Sequence, residues 1–162
     1  MNINKFTIKA QEAIQEAVNL AQSLQHQAIE PAHIMEGTFK SNEQIVSFLL
    51  QKAGANVNSI RNEVERQLRS FPKVSGGEPY LSRDSSNVIN KAEENAKKLG
   101  DEFVSVESLI TALVESGTTL SAILKNNGVD SSVLSKAIAE LRQGSKVTSQ
   151  SAEESYQALE KY

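Results

Sequence analysis

The chain has 162 residues, 39% hydrophobic and 23% charged, with a formal net charge of −3, no Cys, no Trp and two His. That arithmetic gives one soluble domain, two at most, and excludes disulfide frameworks, cysteine nucleophiles and thiolate zinc sites. The weak acidic balance does not favour nucleic acid or an anionic membrane, and no apolar run is long enough to span a bilayer.

The first helix runs from Thr7 to Leu24. Ala10, Ile14, Ala17, Ala21 and Leu24 recur at steps of four, three, four and three, one stripe on a helix. Thr7 is placed to cap it, because a hydroxyl accepts one of the orphan backbone N–H groups. A second helix starts at Pro31, where a missing N–H costs nothing, and turns Ile34 and Met35 inward. Ile45, Phe48, Leu49 and Leu50 mark a third, stopped by Gly54. Ile60, Val64 and Leu68 mark a fourth, ending before Pro72. Residues 71–80 hold two prolines and two glycines and read as a loop.

The pattern then restarts. Ser85, Ile89, Ala92, Ala96 and Leu99 repeat the same spacing, each 75 residues after its counterpart. Thr7 matches Ser82, Ile29 matches Val104, and Ile34 matches Leu109. With one deletion, Gly54 matches Gly128, Ile60 matches Leu134 and Val64 matches Ile138. This is a duplicated four-helix unit. Each half alone has a marginal core. The expectation is therefore an all-α fold of eight short helices and no sheet, the halves packed about a pseudo-twofold axis. The units are residues 1–70 and 81–142. Residues 143–150 read as a flexible linker. Residues 152–162 read as the start of a further helix with Tyr156 and Leu159 on one face, cut from a longer chain or docking onto a partner.

Little here points to catalysis. There is no Gly-rich phosphate loop ending in Lys and no dinucleotide-binding glycine pattern. His26 and His33, seven apart, are too few for a metal site and read as surface or capping residues. The N-terminus has no secretory pattern, and the absence of Cys fits a reducing, cytoplasmic setting. The repeats differ most in polarity where Asp101 faces His26 and Glu107 faces Ala32. That acidic pair brackets a helix start. It is either a binding feature or a solvated loop residue beside a first-turn carboxylate of a helix capped by Ser105. Ile89, Val104 and Leu109 either line a shallow cleft between the halves or belong to the core.

Three segments together resemble the duplicated N-terminal domain of the Clp ATPase chaperones. They are Phe6-Thr-x-Lys-Ala-x-Glu-Ala-Ile14, Ile29-Glu-Pro-x-His-Ile34 and Gly100-Asp-x-Phe-Val-Ser-Val-Glu107. Ile29-Glu-Pro31, Lys146-Val-Thr-Ser-Gln150 and Tyr156-Gln-Ala-Leu-Glu-Lys-Tyr162 are similar to the disaggregase branch of that family, the last two to its junction into a first ATPase module. The resemblance implies a non-catalytic module of a hexameric, ATP- and magnesium-dependent chaperone that acts with the DnaK system. It would engage unfolded or aggregated polypeptide and pass it to a central pore. It implies substrate contact by Thr7, Asp101 and Glu107 and an apolar groove along the helix of Ile89, with Val104 and Leu109 as further lining. Lys91 and Ser108 stand where some members are apolar, which implies a more polar groove. Adaptor docking, as in other Clp branches, is the alternative role. The fragment alone is expected to be a monomer. Reversing the charge of both acids is expected to weaken capture without unfolding the domain.

Overall fold

The computed structural model describes residues 3–156. Its helices are α1 (Ile8–Ser23), α2 (Pro31–Ser41), α3 (Glu43–Lys52), α4 (Val57–Ser70), α5 (Arg83–Lys98), α6 (Val106–Glu115), α7 (Thr119–Asn126) and α8 (Ser131–Arg142), with 3-10 turns at Ile3–Lys5 and Ala152–Ser155. The eight helices fall where the periodicity places them, and their caps repeat. Thr7 Oγ1 accepts from Ala10 N–H at 3.1 Å, and Ser82 Oγ accepts from Ser85 N–H at 3.1 Å. Gly54 and Gly128 both hold positive φ, 84° and 92°, past their helix ends.

The pseudo-twofold shows in the packing. α1 packs chiefly on α2 and α5 on α6, while α3 meets α8 and α4 meets α7 across the repeats. α2 and α6 supply much of the shared core: Ile34, Met35 and Phe39 from one, Leu109, Ile110 and Leu113 from the other, all buried. At roughly 25 cal/mol per Å² of apolar surface, each such side chain contributes about 2 kcal/mol when buried. Where α2 crosses α1 the backbones nearly touch. A Cβ on Gly37 would lie 2.6 Å from Ala13 O and 2.7 Å from Ala17 N.

The expectation of no sheet needs a small correction. β1 (Ala28–Ile29) pairs in parallel with β2 (Tyr80–Leu81), and Phe6 forms a parallel bridge with Val104. The two pairings are twofold mates: Ile29 of the first repeat meets Leu81 of the second, and Val104 of the second meets Phe6 of the first. Each repeat therefore hands the backbone before its first helix to the other. The signal is invisible to periodicity because each pairing is only one or two residues long.

The two histidines are buried, not on the surface. His33 does cap: its Nδ1 accepts from Glu30 N–H at 2.9 Å. That bond leaves the His33 proton on Nε2, which lies 2.8 Å from His26 Nδ1. Phe71 stacks on His33 with ring centroids 5.5 Å apart. Burial, then the neighbouring His26, lowers the His33 pKa to about 4, so both rings pack as neutral imidazoles.

Candidate functional site

Residues 143–150, expected as a flexible linker, are docked on the domain, and the docked segment continues to Tyr156. Gln143 leaves α8 with φ 50°, turning the chain back on the domain. The segment then lies along the surface as a strap. Glu102 N–H donates to Val147 O at 2.8 Å, and Ile8 N–H donates to Gln150 O at 2.7 Å. Lys146 Nζ donates to Leu99 O at 2.9 Å. Val147 and Tyr156 are buried, at 0% and 4% exposure. Ala152–Ser155 is a 3-10 turn rather than a helix start, and Tyr156 is already packed. Leu159 lies outside the described residues.

Under the strap is a buried polar network that draws in Thr7, Asp101 and Glu107. Arg142, at the end of α8, is its hub. Nε donates to Glu107 Oε2 at 2.9 Å, Nη1 to Asp101 Oδ1 at 3.1 Å, and Nη2 to Ser105 Oγ at 3.0 Å. Nη2 also lies 2.9 Å from Asp101 Oδ2. Both carboxylate side chains are 0% exposed. Tyr156 Oη donates to Glu107 Oε2 at 2.6 Å. From the strap, Glu153 Oε2 accepts from Thr7 Oγ1 at 2.6 Å and from Val106 N–H, in the first turn of α6, at 3.2 Å. Asp101 Oδ1 also accepts from Val147 N–H at 3.0 Å. The loop after α5, the starts of α1 and α6, the end of α8 and the strap thus converge on one cluster.

The electrostatics are uneven. Three carboxylates share the cluster with one guanidinium, which pairs with two of them, Asp101 and Glu107. Burial works against the Arg142 charge, but Glu107 and Asp101 more than offset it and hold its pKa above the ordinary value. Burial, then the Glu107 charge, pushes Tyr156 up as well. Glu153 is raised to about 7, first by burial and next by Glu107, with the Thr7 and Val106 bonds opposing. Asp101 Oδ2, Glu107 Oε1 and Glu153 Oε1 are buried acceptors with no hydrogen-bond donor among the described residues. Each of the three carboxylates thus leaves one oxygen without a hydrogen-bond donor, and only that of Asp101 is offset by an ion contact, to Arg142 Nη2 at 2.9 Å.

This geometry corrects several expectations. Asp101 and Glu107 are not rim carboxylates facing incoming basic segments, nor is Asp101 a solvated loop residue; both are covered and paired with Arg142. Reversing both charges would seat three cations in one buried pocket, so the domain would unfold rather than simply bind less. Thr7 is buried too. Ile89, Val104 and Leu109 are 3%, 3% and 0% exposed and belong to the core. The open groove beside α5 is a different one, about 560 Å³ between α5, α6 and α8, lined by Leu99, Thr111, Ile138 and Ala139 with Arg142 and Lys146 at the strap side. The sequence marks neither Arg142 nor Glu153, and it marks Tyr156 only as one face of an expected terminal helix. An arginine ending an amphipathic helix carries no mark of a partner 35 residues away.

The chain belongs to the Clp repeat (R) N-terminal domain family, whose sequence model matches residues 5–127. It is 55% identical to the chaperone protein ClpB of Bacteroides thetaiotaomicron over 162 residues, covering 100% of this chain and 19% of that protein. It thus spans about a fifth of the curated relatives it matches. The fold is that of the Hsp104 N-terminal domain from Candida albicans, with TM-score 0.81, 22% identity, and 92% of this chain and 99% of that one covered. It is also that of a ClpV N-domain solved in complex with a VipB peptide, with TM-score 0.69, 16% identity, and 85% and 86% covered. No helix among the described residues is long and apolar enough to cross a membrane.

Proposed function

We propose that this domain is the substrate-engaging module of a ClpB-like, ATP-driven disaggregase, binding unfolded or aggregated polypeptide and passing it to the pore of a hexamer. The observation that carries the reading is the convergence of Thr7, Asp101 and Glu107, far apart in sequence, on one buried cluster, Thr7 bonded to Glu153 and the acidic pair bonded to Arg142. Those are the positions that the family resemblance marks for substrate contact. Weak, sequence-tolerant binding suits a module that must release its cargo, and six copies on one ring raise the effective concentration. On this reading ATP and magnesium belong to ATPase modules outside these 162 residues, and the module itself catalyses nothing. The isolated domain is a monomer, and the whole protein works in the cytoplasm with the DnaK system.

A second reading, docking of a folded adaptor or a partner peptide, is favoured by the shared fold with the ClpV N-domain that binds a VipB peptide. Fluorescence anisotropy separates the two. Labelled, carboxymethylated and permanently unfolded α-lactalbumin is titrated with the domain, and native α-lactalbumin is the control. Saturable binding of the unfolded form alone supports the proposal; absence of binding contradicts it.

A further inference from the structure

We propose that residues 146–156 are an internal ligand closing the Thr7–Asp101–Glu107 site, and that the site takes in their place a segment of unfolded polypeptide bearing an aliphatic residue and a tyrosine, uncharged where the strap carries Glu153. This rests on the substrate-binding reading above and deepens it.

The strap shows what the site accepts. The N–H groups of Ile8 and Glu102 each donate to a strap carbonyl, a contact any peptide backbone can supply. Val147 is fully buried, and the Tyr156 hydroxyl reaches Glu107. The backbone bonds favour no sequence, and the seats for Val147 and Tyr156 require only common side chains.

Glu153 is the poorly matched part. Thr7 Oγ1 and the Val106 N–H satisfy one of its oxygens. The other is buried with no donor among the described residues. Glu107 faces it from α6, Thr7 faces it from the start of α1, and Tyr156 adjoins it in the strap. Arg142 from α8 directs its donors to Asp101 in the loop after α5, to Glu107 and to Ser105. A carboxylate thus sits against a carboxylate, with no ion pair of its own among the described residues. A glutamine in the same place keeps the acceptor oxygen and offers an amide donor where Glu153 Oε1 has none. The strap fits well enough to close the site and poorly enough to be displaced.

The sign of the pH effect follows. Glu153 is raised to about 7 when docked, against an ordinary value of 4.5. Docking is therefore fully favourable below about 4.5, weakens about tenfold per pH unit as pH rises toward 7, and is level above that. A peptide with glutamine at that place shows no such loss.

The test uses the full chain with Val147→Asp, which places a charge on a fully buried strap side chain; Val147 lies outside the main core cluster. The probe is a fluorescein-labelled peptide copying residues 145–157, made with the native sequence and with Glu153→Gln. The expected result is that both peptides bind the Val147→Asp chain at least tenfold more tightly than the wild-type chain. The Glu153→Gln peptide should be at least tenfold the tighter at pH 8, with a smaller gap at pH 5. Equal binding to both chains, or no advantage for the Glu153→Gln peptide at pH 8, overturns the proposal. If Val147→Asp fails to fold, the chain with Ile8→Cys and Gln150→Cys answers the same question, since no native Cys interferes. Oxidised, it should exclude the peptide; reduced, it should admit it, and equal binding in both states refutes closure. Unfolded α-lactalbumin run on the same samples separates the two claims. If it binds none of the chains while the peptides behave as expected, substrate capture fails and the strap stands. If it binds locked and open chains equally, the strap fails and capture stands.

Discussion

The Thr7 hydroxyl donates a 2.6 Å hydrogen bond to the Glu153 carboxylate, across 146 positions of chain. The same oxygen accepts from Ala10 N–H and caps α1. One side chain therefore starts the first helix and fastens the last described segment. Thr7→Ala should lower stability by about 1 kcal/mol through the lost cap. It should also speed amide hydrogen exchange at Ile8 and Glu102, whose N–H groups bond to the strap. Thr7→Ser, which keeps the hydroxyl, should restore both. Unchanged exchange in Thr7→Ala would show that the strap is held without it.

Arg142 holds two buried carboxylates. Arg142→Met removes the cation and leaves Asp101 and Glu107 uncompensated, an error that costs about 3–5 kcal/mol. Chemical denaturation should show that loss in the midpoint. Asp101→Asn with Glu107→Gln on the Arg142→Met background should recover much of it, because the unpaired charges go too.

The neutral His26–His33 pair sets an acid limit. His33 has a folded pKa near 4 against an ordinary 6.5, so the unfolded chain binds more protons between those values. Its contribution is complete above about pH 6.5 and is lost as pH falls toward 4. From pH 7 to 4.5 the loss is about 2 kcal/mol. His33→Gln keeps a capping side chain at the third helical position but cannot titrate. Denaturation midpoints of the two proteins should therefore differ in their pH slope by that amount. Parallel slopes would show that His33 does not carry the acid sensitivity.

Gly37 lets α2 lie against α1. A methyl there meets backbone atoms of Ala13 and Ala17, which cannot rotate away. Gly37→Ala should destabilise the domain by about 1–3 kcal/mol, despite alanine's better helix propensity. Thermal unfolding checks it, and a gain in Tm would mean the helices separate easily. The twofold-related position is Ala112, so the second repeat accommodates the methyl that the first cannot.

The helices were legible because their information is local. Ile14, Ala17 and Ala21, and their mates Ile89, Ala92 and Ala96, recur at a spacing that only one kind of backbone satisfies. The duplication then predicted the pairing of the halves. The strap was illegible for the opposite reason. Residues 143–150 are mostly polar, hold one aliphatic side chain and have no period. They dock through backbone carbonyls, which every sequence carries. The acidic pair was found by comparing the repeats, since Asp101 stands opposite His26. Its burial was not, because Arg142, Glu153 and Tyr156 reach it only through the tertiary fold. Ile89, Val104 and Leu109 show the same limit: spacing marks an inward face but does not distinguish a cleft from a core.

An NMR titration of the ¹⁵N-labelled chain with carboxymethylated α-lactalbumin tests the central claim most directly. Engagement at the Thr7–Asp101–Glu107 site predicts saturable shifts in the amides of Thr7, Ile8, Asp101, Glu102, Val106 and Glu107, together with those of residues 147–156. Saturable shifts confined to the first repeat, around α2 to α4, with this set unmoved, would contradict it.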